Sequence, residues 1–187
     1  MKKENVQMKL EGSRVFLKPL ESVDAEKSFQ LEVRNRVFFA EYSIDREEAF
    51  YTLEGQLERI KTNQKNMNQD QSYSFGIFLN ESEELIGNIG LFKVERGPAQ
   101  SCVVGYVLDK AHNGKGYMTE TIRLIVNYAF TELKLHRLEA GVKPDNLGSI
   151  RVLEKSGFRQ EGIARKNIKI NGQWADHQIL AIINEGM

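Results

Sequence analysis

The sequence predicts an α/β domain, and three observations carry that reading. Apolar runs of strand length are interspersed with amphipathic stretches of helical period. Two glycines, Gly114 and Gly116, end one strand-like run and open a helix, and an Asn-Gly pair at Asn171 and Gly172 marks a late hairpin.

Taken in order, Arg14 to Lys18 form an opening strand. Two helical segments follow, the second marked by Phe50, Leu53, Leu57 and Ile60 on one face. Asn63 to Gln71 is polar and rich in Asn and Gln, and reads as a solvated loop. Strand-like runs at Tyr73 to Leu79, Leu85 to Phe92 and Cys102 to Leu108 lead into the glycine loop. The helix after that loop carries Ile122, Ile125, Val126, Ala129, Phe130 and Leu133 at spacings of three and four. A strand near Arg137 to Val142, a helix from Asn146 and the hairpin of Ile168-Lys169-Ile170 with Gln173-Trp174-Ala175 complete the order. Counting across the turn pairs Trp174 with Lys169 and His177 with Lys166, and puts His177 on the face of Ala175, Ile179 and Ile183.

The glycine loop, Asn113-Gly114-Lys115-Gly116-Tyr117-Met118, is suited to hold phosphate. Backbone N–H groups at a helix start lack intrahelical partners, the macrodipole adds positive potential, and glycine lets an anion approach the main chain. A nucleotide P-loop would need Gly-x4-Gly-Lys-Ser/Thr, and a dinucleotide fingerprint a third glycine where Thr119 stands, so both are excluded. By itself the segment fits an anion loop or a plain loop and helix cap.

Two segments together decide. The loop is followed about thirty residues later by Pro144-Asp145-Asn146-Leu147-Gly148-Ser149-Ile150, in a stretch that ends in Gly157-Phe158. The pair resembles the GNAT acetyltransferase superfamily. Arg96-Gly97-Pro98-Ala99-Gln100-Ser101-Cys102 with Gly105-Tyr106, and Asn171-Gly172-Gln173-Trp174-Ala175-Asp176-His177, are similar to the branch of ribosomal-protein-alanine N-acetyltransferases. The resemblance runs from about Ser13 to Ile183. It implies a GNAT-type sandwich, with a central, mostly antiparallel twisted sheet of about seven strands flanked by about four helices. It also implies acetyl-CoA as acetyl donor, and the N-terminal amine of a small-subunit ribosomal protein as acceptor.

Carried onto this chain, the resemblance makes Asn113 to Met118, with Gly114, Lys115, Gly116 and Tyr117 between them, the pyrophosphate loop. Ala111 stands where the wider superfamily has Gln or Arg, so backbone donors carry more of the holding. Asn146 is either the asparagine that hydrogen-bonds the cofactor arm or a helix N-cap. Leu153 replaces a tyrosine used as acid by many members, and Ser149, one helical turn earlier on the same face, takes that role unless it is a solvated or back-bonded helical serine. A backbone N–H near Val107 or Leu108, where the strand splays, polarises the carbonyl.

The amine's base is less legible. Val103 stands where many relatives carry glutamate, which argues for an N-terminal acceptor over lysine, because an α-amine is about two hundred times more neutral at pH 7. Glu41, between the early helices, is a candidate for orienting the amine or a solvated glutamate. His177 is a candidate base or a satisfied core histidine, with Asp176 beside it. Trp174 and Cys102 read as packing residues.

Composition agrees with one enzyme domain over residues 1–187, with 1–12 as a flexible N-terminal segment. Twenty-six basic and twenty-six acidic residues leave no net charge, so nucleic-acid binding through a basic surface is not expected. One cysteine excludes an internal disulfide. His112 and His136 read as too separated from other ligand types to suggest a metal, so none is expected. No signal-peptide core or bilayer-spanning run is present, which predicts a cytoplasmic protein without membrane contact, a monomer or homodimer. A small-molecule N-acetyltransferase for a polyamine, amino acid or aminoglycoside, and a nonenzymatic acyl-CoA-binding module, are the alternatives.

Overall fold

The computed structural model describes residues 8–186. Eight strands form one sheet in the order β1-β2-β3-β4-β5-β6-β8-β7, where β1 is Leu10–Glu11, β2 Val15–Lys18, β3 Tyr73–Leu79, β4 Leu85–Glu95, β5 Ser101–Leu108, β6 Arg137–Val142, β7 Arg159–Ile170 and β8 Gln173–Ile183. All neighbours run antiparallel except β5 and β6. The five α-helices are α1 (Ala25–Arg34), α2 (Arg36–Ala40), α3 (Leu53–Asn68), α4 (Tyr117–Thr131) and α5 (Leu147–Lys155). One more strand and one more helix are present than the sequence leads one to expect. The extra strand, β1, lies in the N-terminal segment expected to be flexible; residues 1–7 of that segment lie outside the described part.

Alternation along the strands sorts the core to two faces. Phe16 and Phe78, cross-strand partners stacked with ring centroids 5.1 Å apart, face α1, α2 and α3 together with Leu31, Phe39 and Ile60. Val15, Leu17 and Ile77 take the opposite face with Ile122, Ile125 and Ala129 of α4 and Leu153 of α5. Each large aliphatic side chain fully buried here stabilises by about 1.5–3 kcal/mol.

Asn63 to Gln71 is not a loop: α3 continues to Asn68. Nothing in 63–68 is Gly or Pro, so propensity costs less than about 0.7 kcal/mol per residue, and tertiary contacts outweigh it. Met67 packs on the core, and Gln64 Nε2 donates to Leu20 O at 3.0 Å. Phe50 sits before α3 in a 3-10 turn, and Thr52 caps the helix, its Oγ1 accepting from Gly55 N at 3.0 Å.

The hairpin keeps the register of Trp174 opposite Lys169 but slips beyond it. Arg165, Lys166 and Asn167 stand opposite Asp176 alone, so His177 pairs with Ala164 rather than Lys166. Asp176 Oδ1 accepts from Lys166 N at 2.7 Å and holds that bulge. Trp174, expected to pack, is 62% exposed.

The end of β5 is fixed from α1. Arg34 Nε donates to Asp109 Oδ2 at 2.6 Å, Ala111 N donates to the same carboxylate at 3.0 Å, and Asn35 Oδ1 accepts from Lys110 N at 3.0 Å. Burial works against ionising Asp109, but the Ala111 N–H and the Arg34 guanidinium outweigh it and hold the carboxyl below its ordinary range. Stability from a carboxyl lowered on folding is complete above the unfolded value near 3.8–3.9 and is lost as pH falls through the folded one. Asp109→Asn therefore melts lower than the parent at pH 7 by on the order of 2 kcal/mol, and thermal melts should show the gap closing only below about pH 4.

Candidate active site

The sheet opens between β5 and β6. The two pair in parallel only at Ser101 with Arg137, Cys102 with Leu138 and Val103 with Glu139; beyond Val103, β5 keeps β4 alone as a partner. A cleft of about 1410 Å³ occupies the opening and runs from the α1–α2 side to the starts of α4 and α5.

The backbone phase at the end of β5 identifies which amide faces that opening. Asp109 N donates to Ile86 O at 2.8 Å, which makes Leu108 and Gly87 a non-hydrogen-bonded pair. The Val107 N–H is thus directed at β4, and the Leu108 N–H is directed away from it, to the side where β6 has departed.

The glycine loop follows directly. Gly114 and Gly116 have φ of +76° and +82°, a region that costs a side-chain-bearing residue strain. Gly116 is the N-cap of α4 and offers no side chain to its first turn. Among the described residues, the N–H groups of Gly114 through Thr119 donate to no protein acceptor. The loop is braced from behind: Arg14 Nη1 donates to Lys115 O at 2.8 Å, and Glu120 of α4 accepts from Arg14 N at 2.8 Å and from Arg14 Nε at 3.1 Å. Burial opposes the Glu120 charge, but those donors outweigh it and hold its carboxyl below the usual range.

On α5, Asn146 Oδ1 accepts from Ser149 N at 3.2 Å, so the N-cap reading holds, while its Nδ2 makes no hydrogen bond to any of the described residues. Ser149 is not back-bonded to its helix: its Oγ lies 2.6 Å from the Tyr106 phenol oxygen. Burial pushes that phenol up to about 12 against a smaller downward pull from Ser149. The sequence marks Tyr106 only as part of the Gly105-Tyr106 resemblance and not as a site residue, because its partner is forty-three positions away.

Of the residues singled out by sequence, Val107, Leu108, Asn113, Gly114, Gly116, Tyr117 and Met118 line the cleft, as do Asn146 and Ser149. Lys115, Glu41 and His177 do not. Lys115 is exposed at the outside of the loop. Glu41 is exposed at the end of α2, where its hydrogen bond and charge raise the Tyr42 phenol. His177 is buried, with Nδ1 3.2 Å from Ala175 O, and this satisfied core histidine is not brought to the cleft. Cys102 is buried as expected, its thiol pushed up to about 12 by desolvation.

Sequence reasoning also missed a buried carboxylate. Glu32 of α1 lines the α1–α3 half of the cleft, and its Oε1 accepts from Arg59 Nη1 at 2.8 Å and Asn88 Nδ2 at 3.4 Å. No local motif marks it, since both partners come from other elements. The expectation that the histidines stand apart from other ligand types is overturned: Glu84, Asp109 and His112 bring ligand atoms within 4.8 Å of one another. Arg34 donates to both of those carboxylates, at 2.6 Å and 3.5 Å, and so supplies a positive charge to that cluster itself.

Comparisons with known proteins agree with this geometry. The Acetyltransferase (GNAT) domain model matches residues 14–159, and the chain belongs to that family. A probable N-acetyltransferase of Bacillus subtilis, YjcK, is 56% identical over 175 residues, which is 94% of this chain and 97% of the relative. The structure of a ribosomal-protein-S5-alanine acetyltransferase from Vibrio fischeri superposes with a TM-score of 0.91 at 30% identity, covering 96% of this chain and 98% of that one. Mycobacterium smegmatis RimJ, solved in complex with CoA-disulfide, shares the fold with a TM-score of 0.88 at 24% identity, covering 92% of this chain and 83% of its own. The protein is thus a GNAT N-acetyltransferase.

The hairpin turn is tied to the segment that follows α2. Asp45 accepts from Asn171 N at 2.7 Å and Gly172 N at 3.2 Å, and Asn171 Nδ2 donates to Ala40 O at 3.1 Å. Asp45→Ala removes two of those three ties, so hydrogen exchange should speed up at the Asn171 and Gly172 amides by tenfold or more. Protection in the β6–β8 ladder should stay unchanged.

Proposed function

We propose that this enzyme transfers the acetyl group of acetyl-CoA to a primary amine, the N-terminal α-amine of a protein, by direct attack in a ternary complex. The carrying observation is the run of unpaired backbone N–H groups from Gly114 to Thr119, set at the mouth of an opened sheet. Six free donors at a helix start suit a pyrophosphate, and nothing lies within 4 Å of where a Cβ on Gly114 would stand, so an anion can reach the main chain there. Asn146 Nδ2 is available to an amide of the pantetheine arm.

Each remaining demand of the reaction has a group for it. The Leu108 N–H stabilises the carbonyl oxygen as negative charge develops. The amine nitrogen bonds to the carbonyl carbon, the C–S bond breaks, its electron pair goes to sulfur, where the Ser149 hydroxyl donates a hydrogen bond, and the proton that the nitrogen loses passes through water to the thiolate. The amine must arrive neutral. An α-amine with a pKa near 8 is ~10% neutral at pH 7, against ~0.04% for lysine.

The Vibrio fischeri relative is named for the alanine of ribosomal protein S5, and an N-terminal alanine is the acceptor we carry to this chain, which would place the reaction in the cytoplasm. Charge favours a peptide over a polyamine or aminoglycoside: Arg46, Arg59, Lys93, Lys143, Arg151 and Lys155 line the cleft against only Glu32 and Glu139. A polycation would meet like charge there.

Two measurements test the reading. Calorimetry with acetyl-CoA should give an affinity at least tenfold weaker, about 1.4 kcal/mol, for a folded Gly116→Val variant, in which the new side chain meets a φ of +82° and Arg14 Nη2. An unchanged affinity rejects the loop as the phosphate site. With an alanine-starting peptide, the rate should rise with pH along the titration of its α-amine, and the same peptide blocked at its N-terminus but carrying an internal lysine should be nearly inert. The difference in neutral amine is ~200-fold, roughly 3 kcal/mol at pH 7. Lysine acetylation at an equal rate overturns the acceptor.

A further inference from the structure

We propose that Tyr106 is a positioning residue for the acetyl transfer: its phenol donates to Ser149 Oγ and so leaves the serine's own hydrogen free for the leaving sulfur. This rests on the role given to Ser149 above and adds a second hydroxyl, from a different element, to it.

The geometry decides between two hydrogen-bond arrangements. Each hydroxyl has one hydrogen to give. In one arrangement the phenol donates to Ser149 Oγ, across 2.6 Å, and the serine hydrogen is available to the cleft. In the other the serine donates to the phenol, and the phenol must spend its hydrogen on Ser149 O at 3.4 Å. An O–H···O bond is made at about 2.5–3.0 Å, so the second arrangement gives the phenol's hydrogen only a poor protein acceptor, while the first gives both hydroxyls a use.

The placement of Tyr106 fits that use. It lies in the part of β5 beyond Val103, where β6 has diverged, and its side chain crosses the gap to the first turn of α5. Its ring faces the core packed against α4, so the phenol oxygen has little freedom. A serine in the first turn of a helix otherwise rotates among three staggered positions, and a fixed partner selects one of them. Burial keeps the phenol protonated through the working pH range. It is therefore a constant donor that aims the serine and no source of protons itself; the serine keeps its hydrogen and hydrogen-bonds the thiolate, which takes up the proton released from the acetylated amine by way of water.

The test is a double-mutant cycle on kcat in the full-length enzyme, with acetyl-CoA affinity followed by calorimetry. Tyr106→Phe keeps the ring and its packing, and should melt within about 2 °C of the parent. It should lower kcat about tenfold with KM for acetyl-CoA changed less than twofold, because the bond it supports strengthens only as charge reaches sulfur. In a Ser149→Ala background the same change should lower kcat by less than twofold. Parental kcat in Tyr106→Phe overturns the proposal, and so does an equal loss with and without Ser149, which would mean that the phenol acts through packing. Full activity of Ser149→Ala is a different outcome: it removes the role of Ser149 itself and the proposal with it. Absence of acetyl-CoA binding to the parent enzyme would instead remove the cofactor assignment.

Discussion

The divergence of β5 from β6 after three paired residues is the constraint on which the rest of the molecule depends. A strand in the middle of a sheet that loses one neighbour exposes backbone donors that must find a partner in a ligand or in water. Here the two walls do not collapse together. β5 is laced to β4 along its length, and β6 to β8, so each wall is held by a ladder on its far side. α4 and α5 both begin at the mouth of the opening, and their N-termini add positive potential to the same space. Nearly every group with chemical potential in this protein is displayed there by one missing ladder.

The supports around that opening matter through geometry more than through strength. Arg14 is half exposed, so its ion pair with Glu120 contributes at most about 1 kcal/mol after screening. What it does is engage Lys115 O, so that one carbonyl of the loop is committed to Arg14. Asp109 does the same for the preceding turn, anchored to α1 by Arg34 and to its own loop by the Ala111 amide. Two carboxylates held in their charged form thus brace the loop and the turn before it.

Much of this was legible in the chain. Apolar period and length located β3, β5 and β6 within a residue, and the Gly114–Gly116 pair marked the left-handed turn that only glycine makes at low cost. What failed to show was decided between elements distant in sequence. The slip at His177 comes from two extra residues in β7 that alternation alone does not reveal, and the length of α3 comes from Gln64 and Met67 finding partners outside their own segment. Within the site, sequence selected the loop, Asn146 and Ser149, each with a local signature. It missed Tyr106, Glu32 and the Glu84–Asp109–His112 cluster, whose members meet only when strands and helices from separate parts of the chain are stacked.

The electrostatics of the opening bear on the acceptor as much as on the donor. Two helix N-termini, six lining cations and two carboxylates make a field that favours anions, as bound pyrophosphate and developing charge on oxygen and sulfur require. The same field disfavours an ammonium. For the proposed reaction the amine must lose its proton, which at pH 7 costs about 1.4 kcal/mol for an α-amine of pKa 8 and about 4.6 kcal/mol for a lysine of pKa 10.4. Positive surroundings lower both costs by favouring the neutral form, and for the α-amine the small remainder is within reach of water without a dedicated base. Valine at position 103, and the absence of Glu41 and His177 from the cleft lining, then agree with the proposed acceptor, an amine that brings its own neutral nitrogen to a site organised to hold negative charge.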